Sequence, residues 1–454
     1  MEFPYFQFPW LGDGLVIGVN AVIHVFISHG VSIGLVSMVV LAEYVGWRRG
    51  EAGWDSFAKA AIKPTVIIIT SLGAMTGVGI WFTTSAMVPS GIGSMLRVFF
   101  WPWFIEWVVF AMEVVVLVTY YFTWDAWSGP RKRRHVYLGG SYMVLAGLSA
   151  LIITGILGFM LTSDGWPWDR SFWGAFFNPT FLPQLAWRLS EALVMGAAFV
   201  MIFLLFWHRD LALQREALRL YATILAGAAV PMAASGWWWF HVVPSSFKTH
   251  AVFAFQMMTG LRETPWFWAG HVVLVGLVAL AVAAGWLRSG VMAKLLILPA
   301  TFGVLVFAAE YEWVREFIRG PYLMPGYMYA NTVLLSEHEL FRQEGMLKHA
   351  YWYNRLAQTP SLEEEGAFLF AQNCGTCHTI GGRNDIRARF RGKPEDAIFV
   401  ILGRTEQMIP FMPAFSGTDE ERTKLARFIT QLQRQAVHLE APARYTRIPG
   451  QEQQ

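Results

Sequence analysis

Cysteine is nearly missing from this chain: of 454 residues, only Cys374 and Cys377 carry a thiol. Two thiols cannot build the disulfide framework of a secreted scaffold, nor by themselves complete a four-sulfur zinc site. Charge is scarce as well. Asp, Glu, Lys and Arg make up 15% of the residues, well below the roughly 25% of soluble domains, so a fully hydrated surface is excluded for most of the chain. Neither sign is in excess. A formal net charge of +3 leaves no electrostatic footprint for nucleic acid, and no such partner is expected.

What fills the sequence instead is apolar and aromatic. Residues of the hydrophobic set reach 55%, in runs too long and uniform for a soluble core, which predicts a polytopic membrane protein. Taking about 20 apolar residues per crossing, we read eight spans: 14–46, 62–86, 98–124, 136–161, 184–207, 220–243, 266–287 and 293–318. The first is long enough to span and is followed by Arg48 and Arg49, so it is expected to remain as an anchor rather than be cleaved. Alternate loops are basic: Arg48 to Lys63, Arg131 to Arg134, Arg209 to Arg219, and Arg288 with Lys294. By the positive-inside rule these loops face the cytoplasm, both termini lie outside, and the chain sits in a bacterial inner membrane.

The thiols belong to Cys374-Gly375-Thr376-Cys377-His378. Two thiols three residues apart can add to the vinyl groups of one haem, and the histidine that follows can ligate its iron. A redox dithiol or half of a zinc site would need a second thiol pair or a thioredoxin-like strand pattern, and neither is present. Met412, bracketed by Pro410 and Pro413, is preferred to Met408 as the opposite axial ligand because the prolines fix its loop. The expected organisation is therefore all-α: a transmembrane bundle over 1–320, a charged linker over 321–360, a class I cytochrome c domain over 361–436, and a tail over 437–454. The domain's last helix should start after Thr418, a capping residue followed by Asp419 and Glu420. Covalent haem attachment outside the inner membrane agrees with the loop charges.

Ionisable groups inside spans are costly and point to function. They are His24, His29, Glu106, Glu113, Glu191, His241, His271, Glu310 and Glu312. At 1.5 Å per residue, His24, Glu106, Glu191 and Glu310 fall roughly 10 to 15 Å below the outer surface, and His29 and Glu113 about 20 Å below it. A layer of imidazole and carboxylate in the outer half could hold iron porphyrins with one face open to a small molecule. Glu106 and Glu113 share a helical face, as a proton path needs, whereas α-helical periodicity turns His24 and His29 apart. His241 and His271 lie near span ends, where interfacial placement competes with ligation. Glu312 is expected to pair with Arg315.

These stretches resemble the haem-bearing large subunit of cytochrome bd oxidases. The resemblance rests on Ile23-His24-Val25-Phe26, Gly73-Ala74-Met75-Thr76-Gly77-Val78, Trp101 to Glu106 continuing to Glu113, Ser163-Asp164-Gly165-Trp166-Pro167, Ala308-Ala309-Glu310-Tyr311, and Arg319-Gly320-Pro321-Tyr322. It implies that His24 ligates an active-site haem and that Glu310 ligates a neighbouring high-spin haem, with Arg319 in the same motif. Glu106 would then stand between the haems and the proton route, with Glu113 one residue off the family's second acidic position. The implied cofactors are one covalent haem c and non-covalent haem of b or d type. The chain departs from the family at Leu185-Ala186-Trp187-Arg188, where a low-spin haem histidine is expected, and its external loop shrinks to Pro244–Pro265. The economical reading is that the low-spin haem and quinol site are lost and haem c supplies electrons.

The expected function is a respiratory subunit that reduces dioxygen or a similar small oxidant. The expected partners are a second bd-like membrane subunit or larger complex, and soluble cytochrome c or another external carrier. An alternative is a non-catalytic conduit between quinone and cytochrome c, with His29, His241 or His271 as second ligands. A haem-free anchor is a further alternative, which the cost of the intramembrane carboxylates disfavours.

Overall fold

A computed structural model describes residues 6–8, 10–163, 165–207, 210–245, 247–248, 250–251, 264–286, 290–319, 323–356, 361–409 and 412–434. Among them, seven helices are long and apolar enough to cross a membrane. In chain order these include α1 (Asp13–Arg49), α2 (Ala52–Met87), α3 (Pro89–Phe122), α4 (Lys132–Phe159), α5 (Phe181–Phe206) and α6 (Leu211–Val242). An additional long helix, α7 (Thr264–Trp286), precedes the last, α8 (Gly290–Arg319). The eight expected spans are thus eight long helices, several overrunning the apolar core because their polar ends continue the same hydrogen-bond ladder.

Two departures from regular α-helix matter for the site. The first helix is interrupted by a π-helical stretch, Phe26–Leu35, between α-helical Asp13–Val25 and Val36–Arg49. A π-turn holds more residues than an α-turn, so His24 and His29 are separated by nearer one whole turn than α-helical spacing allows. The divergence expected for them therefore does not apply, and the two imidazoles are electrostatic neighbours. The same stretch lies against α5 with backbone touching backbone: a Cβ on Gly34 would sit 2.0 Å from Ala192 O, and one on Gly196 would sit 2.2 Å from Gly34 C. Only glycine permits that approach, the small-residue packing of membrane helices. Second, α3 breaks at Phe99 (φ −116°, ψ 30°), three residues before Pro102, whose ring and missing N–H disrupt the preceding turn.

The bundle core is continuous from α1 through α5 and α6. A second cluster at the amino-terminal end of α1 joins Ile17, Met95, Phe99 and Phe159 to Met324 and Met328 of the connecting segment. That segment is not a free tether. Val333 before helix α9 (Leu335–Glu344), and Met346, Ala350 and Tyr353 after it, pack into the core of the C-terminal domain. The Glu421 carboxylate fastens them, accepting from Met346 N at 2.8 Å and Leu347 N at 2.7 Å. The charged face expected here is present, with Lys348 bonded to Glu344 at 2.5 Å and both exposed.

The C-terminal domain is built on α10 (Leu362–Asn373), α11 (Glu395–Leu402) and α12 (Asp419–Arg434). Helix α10 starts with a capping box: Glu364 N donates to Ser361 Oγ at 3.2 Å, and Ser361 N donates to Glu364 Oε2 at 2.8 Å. Thr418 precedes α12 as expected, accepting from Glu421 N at 3.3 Å. The tail and the Gly320-Pro321-Tyr322 motif lie outside the described residues.

Candidate functional site

Helix α10 delivers the two thiols. Its last turn passes into a tight bend in which Cys377 N donates to Cys374 O at 3.1 Å and His378 N donates to the same oxygen at 2.8 Å. One turn therefore carries Cys374, Cys377 and His378. Asn384 O lies 3.4 Å from His378 Nδ1. A carbonyl only accepts, so Nδ1 carries the hydrogen and Nε2 is the nitrogen with a lone pair for a metal. Burial keeps that imidazole neutral, lowering its pKa to about 4. Burial also pushes the Cys374 thiol up to about 12, which disfavours thiolate coordination of a metal. No group of three or more metal-type side chains occurs among the described residues. Met412 is half-buried in a loop pinned by Thr405 Oγ1 donating to Pro413 O at 2.7 Å and by Tyr329 Oη donating to Ala414 O at 3.0 Å. Met408 is exposed.

The bend is seated on the amino-terminal end of α1. Gly14 N donates to Thr376 O at 3.1 Å, and Arg383 N donates to Trp10 O at 3.0 Å. Thr379 Cγ2 lies where a Cβ on Gly12 would be 3.3 Å away. From Asp13, the helix rises about 16 Å to His24.

His24 is oriented by its neighbour on α2. Thr76 Oγ1 gives its single hydrogen to Leu72 O at 2.8 Å, so it accepts from His24 Nδ1 at 3.1 Å. That leaves His24 Nε2 with the lone pair. Gly77 keeps the helices close: a Cβ there would be 3.2 Å from His24 Cε1. His29 is buried, and its Nδ1 has no hydrogen-bond partner. Glu106 accepts from Ser149 Oγ of α4 at 2.9 Å. Two turns on, Glu113 is buried with Oε1 lacking a hydrogen-bond partner.

Helix α8 carries Glu310, buried, and a chain of ion pairs. Arg315 bonds Glu312 at 2.5 Å and Glu316 at 2.7 Å, and Arg319 pairs with Glu316. The expected Glu312–Arg315 pair is thus present. Arg319 also points Nη1 at Met160 Sδ, 3.7 Å away. His241 is exposed, donating from Nδ1 to Trp237 O at 2.8 Å and leaning on the Trp237 ring, which places it apart from the buried set. The side chain of His271 lies outside the described residues.

Sequence reasoning undervalued two residues of α5. Arg188, fully buried, lies 3.9 Å from Glu312 and is an electrostatic neighbour of His24 and His29. Glu191, one turn on, has neither oxygen hydrogen-bonded. Their buried depth was legible from sequence, but their partners on α8 were not. Trp187 stacks on Tyr311 at 4.1 Å between α5 and α8, and Gly236 of α6 makes room for it, since a Cβ there would be 2.4 Å from the indole. The position beside the expected low-spin histidine is therefore filled by packed aromatics.

Residues 15–243 match the family described as cytochrome bd terminal oxidase subunit I. The chain belongs to that family. Residues 361–429 of this bd subunit I protein match a second family, cytochrome C oxidase, cbb3-type, subunit III. No curated protein matches. In fold, the chain is similar to a solved bd oxidase from Geobacillus thermodenitrificans, with TM-score 0.58 and 18% identity over 73% of this chain and 94% of that one. The protein is a multi-pass membrane cytochrome of respiratory electron transfer. The donor set fits haem: bare imidazole nitrogens at His24 and His378, and buried cations and carboxylates short of hydrogen bonds, such as Arg188 Nε and Glu191, which a porphyrin with its propionates or ordered water would complete.

Proposed function

We propose that this chain is the haem-bearing subunit of a bd-like terminal oxidase that takes electrons through its own haem c. The observation that carries this reading is the seat of the Cys374–His378 bend on the first residues of the helix bearing His24. His24 Nε2 and Glu310 would hold intramembrane haem of b or d type, with Arg319 and Arg188 balancing its carboxylates. His378 Nε2 and Met412 would hold haem c. Haem bound in the membrane supplies electron transfer and the reduction of dioxygen. This chain's residues do the rest: Glu106, fixed by Ser149, and Glu113 two turns deeper hold and pass protons toward the reacting site, which needs one for each electron. Packed Trp187 offers no iron ligand where the low-spin histidine is expected, so haem c would supply electrons in place of a low-spin haem and quinol.

The loop charges orient the assembly, with the haem c end outside the bacterial inner membrane. A soluble cytochrome c or similar external carrier would be the donor. A second bd-like membrane subunit would cover exposed apolar side chains such as Trp101, Phe104 and Trp107 of α3. The alternative is a non-catalytic conduit in which buried His29 would supply a ligand to a second, six-coordinate membrane haem. Carbon monoxide decides between them. The reduced protein is expected to bind it at a membrane haem, and a spectrum unchanged by the gas would remove the oxidase reading.

A further inference from the structure

At the end of the bundle opposite haem c, a buried ionic cluster lies outside the machinery described above. Glu43 of α1 and His135 of α4 are both fully buried, and His135 Nδ1 pairs with Glu43 Oε1. His135 Nε2 lies 2.8 Å from Tyr120 O, and because a carbonyl accepts only, Nε2 carries a hydrogen. The contact between Nδ1 and the carboxylate then requires another proton between them, held either as imidazolium or as carboxylic acid. Tyr120 Oη donates to Glu43 Oε2 at 2.5 Å. Lys132 Nζ is 2.6 Å from Glu43, rests over the Trp124 ring at 4.4 Å, and bridges to Asp55, whose side chain reaches solvent.

We propose that the Glu43–His135 pair is the proton-loading group at the cytoplasmic mouth of the route to Glu113, an inference that rests on the oxidase reading. The two helices that carry Glu113 and Ser149 repeat polar residues every seventh position on facing sides. On α3 these are Glu106, Glu113 and Tyr120; on α4, running the other way, they are Ser149, Tyr142 and His135. Seven residues make nearly two turns, so each set stays on one face. The rungs are Ser149 with Glu106, Tyr142 with Glu113 as an electrostatic neighbour, and His135 stacked on Tyr120 at 4.4 Å. Tyr142 Oη also pairs with Ser32 Oγ of the π-helical stretch. From Tyr120 to Glu106 the ladder rises about 21 Å, and intervals of about 10 Å are bridged by two or three waters. The shared proton leaves Glu43–His135 toward Glu113, and water at Asp55 and Lys132 replaces it.

The test uses the full chain in vesicles, supplied with reduced soluble cytochrome c, and compares Glu43→Gln, Glu43→Asp and Tyr120→Phe with the unaltered protein. Glu43→Gln is expected to lower oxygen consumption about tenfold or more and to raise the solvent deuterium isotope effect. Haem c reduction and the carbon monoxide spectrum should stay unchanged, and Glu43→Asp should recover part of the rate. Wild-type rates and isotope effects in both Glu43→Gln and Tyr120→Phe would overturn the loading role while leaving the oxidase reading intact. If Glu43→Gln loses membrane haem, Tyr120→Phe, which removes only a hydroxyl, decides by the same readouts. An unaltered protein that consumes no oxygen overturns both.

Discussion

Replacing Gly382 with valine tests whether the haem c domain is fixed to the bundle. A Cβ at Gly382 would lie 2.2 Å from Trp10 O and 2.8 Å from Thr379 Oγ1, and the first of these is backbone that cannot swing aside. The seat therefore opens, breaking Arg383 N to Trp10 O and Gly14 N to Thr376 O. Two such bonds contribute about 1 kcal/mol each, so the seat weakens by about 2 kcal/mol, or about thirtyfold in its opening equilibrium. Hydrogen exchange at the Gly14 and Arg383 amides should accelerate by that factor, because exchange at a local contact follows its opening free energy. Amides inside α12, held by the domain's own core, should keep their rates. Covalent haem c should be retained, since the haem-binding residues are untouched. Unchanged exchange at Gly14 would refute the idea that these bonds hold the seat.

Three further outcomes are expected. Glu421→Ala removes the acceptor for Met346 N and Leu347 N; at about 1.5 to 3 kcal/mol for a hydrogen bond to a charged group, it should lower the domain's midpoint in urea, with an unchanged midpoint counting against the staple. His338 stacks on Tyr329 at 3.5 Å and bonds Ser416 at 3.0 Å, and its pKa is lowered by desolvation and then by Arg342. Its folded state favours neutral imidazole, so its contribution is complete above the unfolded pKa of about 6.5 and is lost as pH falls through the lower folded value. Protease cleavage of the 335–356 segment should rise on acidification through that window in the parent, and a pH response equal to that of His338→Gln would contradict this. Met412→Ala should leave haem c covalently bound but open its sixth position, shifting the spectrum toward high spin; an unchanged spectrum would move the ligand to another residue.

The single turn that carries Cys374, Cys377 and His378 was legible because haem-attachment chemistry dictates both residue types and spacing. Seven of the eight expected spans recur as helices long and apolar enough to cross a membrane, and they were legible because lipid demands unbroken apolar length. The Glu312–Arg315 pair followed from helical spacing alone. What sequence did not show depends on contacts between distant segments. Val333, Met346 and Tyr353 are scattered through charged sequence, so the packed connection looked like a tether. The π-helical register around His29 coincides with the close glycine contact with α5, a contact between distant segments. Glu43 and His135 stand beside the basic runs at Arg48 and Arg131 and were absorbed into them, because their partnership crosses 92 positions of chain.

A carrier bolted by its main chain to the first membrane helix has no swinging arm to wait for. On the oxidase reading proposed above, the gap an electron crosses is fixed, so turnover would be set by how often a soluble donor refills the carrier. Raising donor concentration should then speed turnover well beyond the point where a domain on a loose leash would already have levelled off.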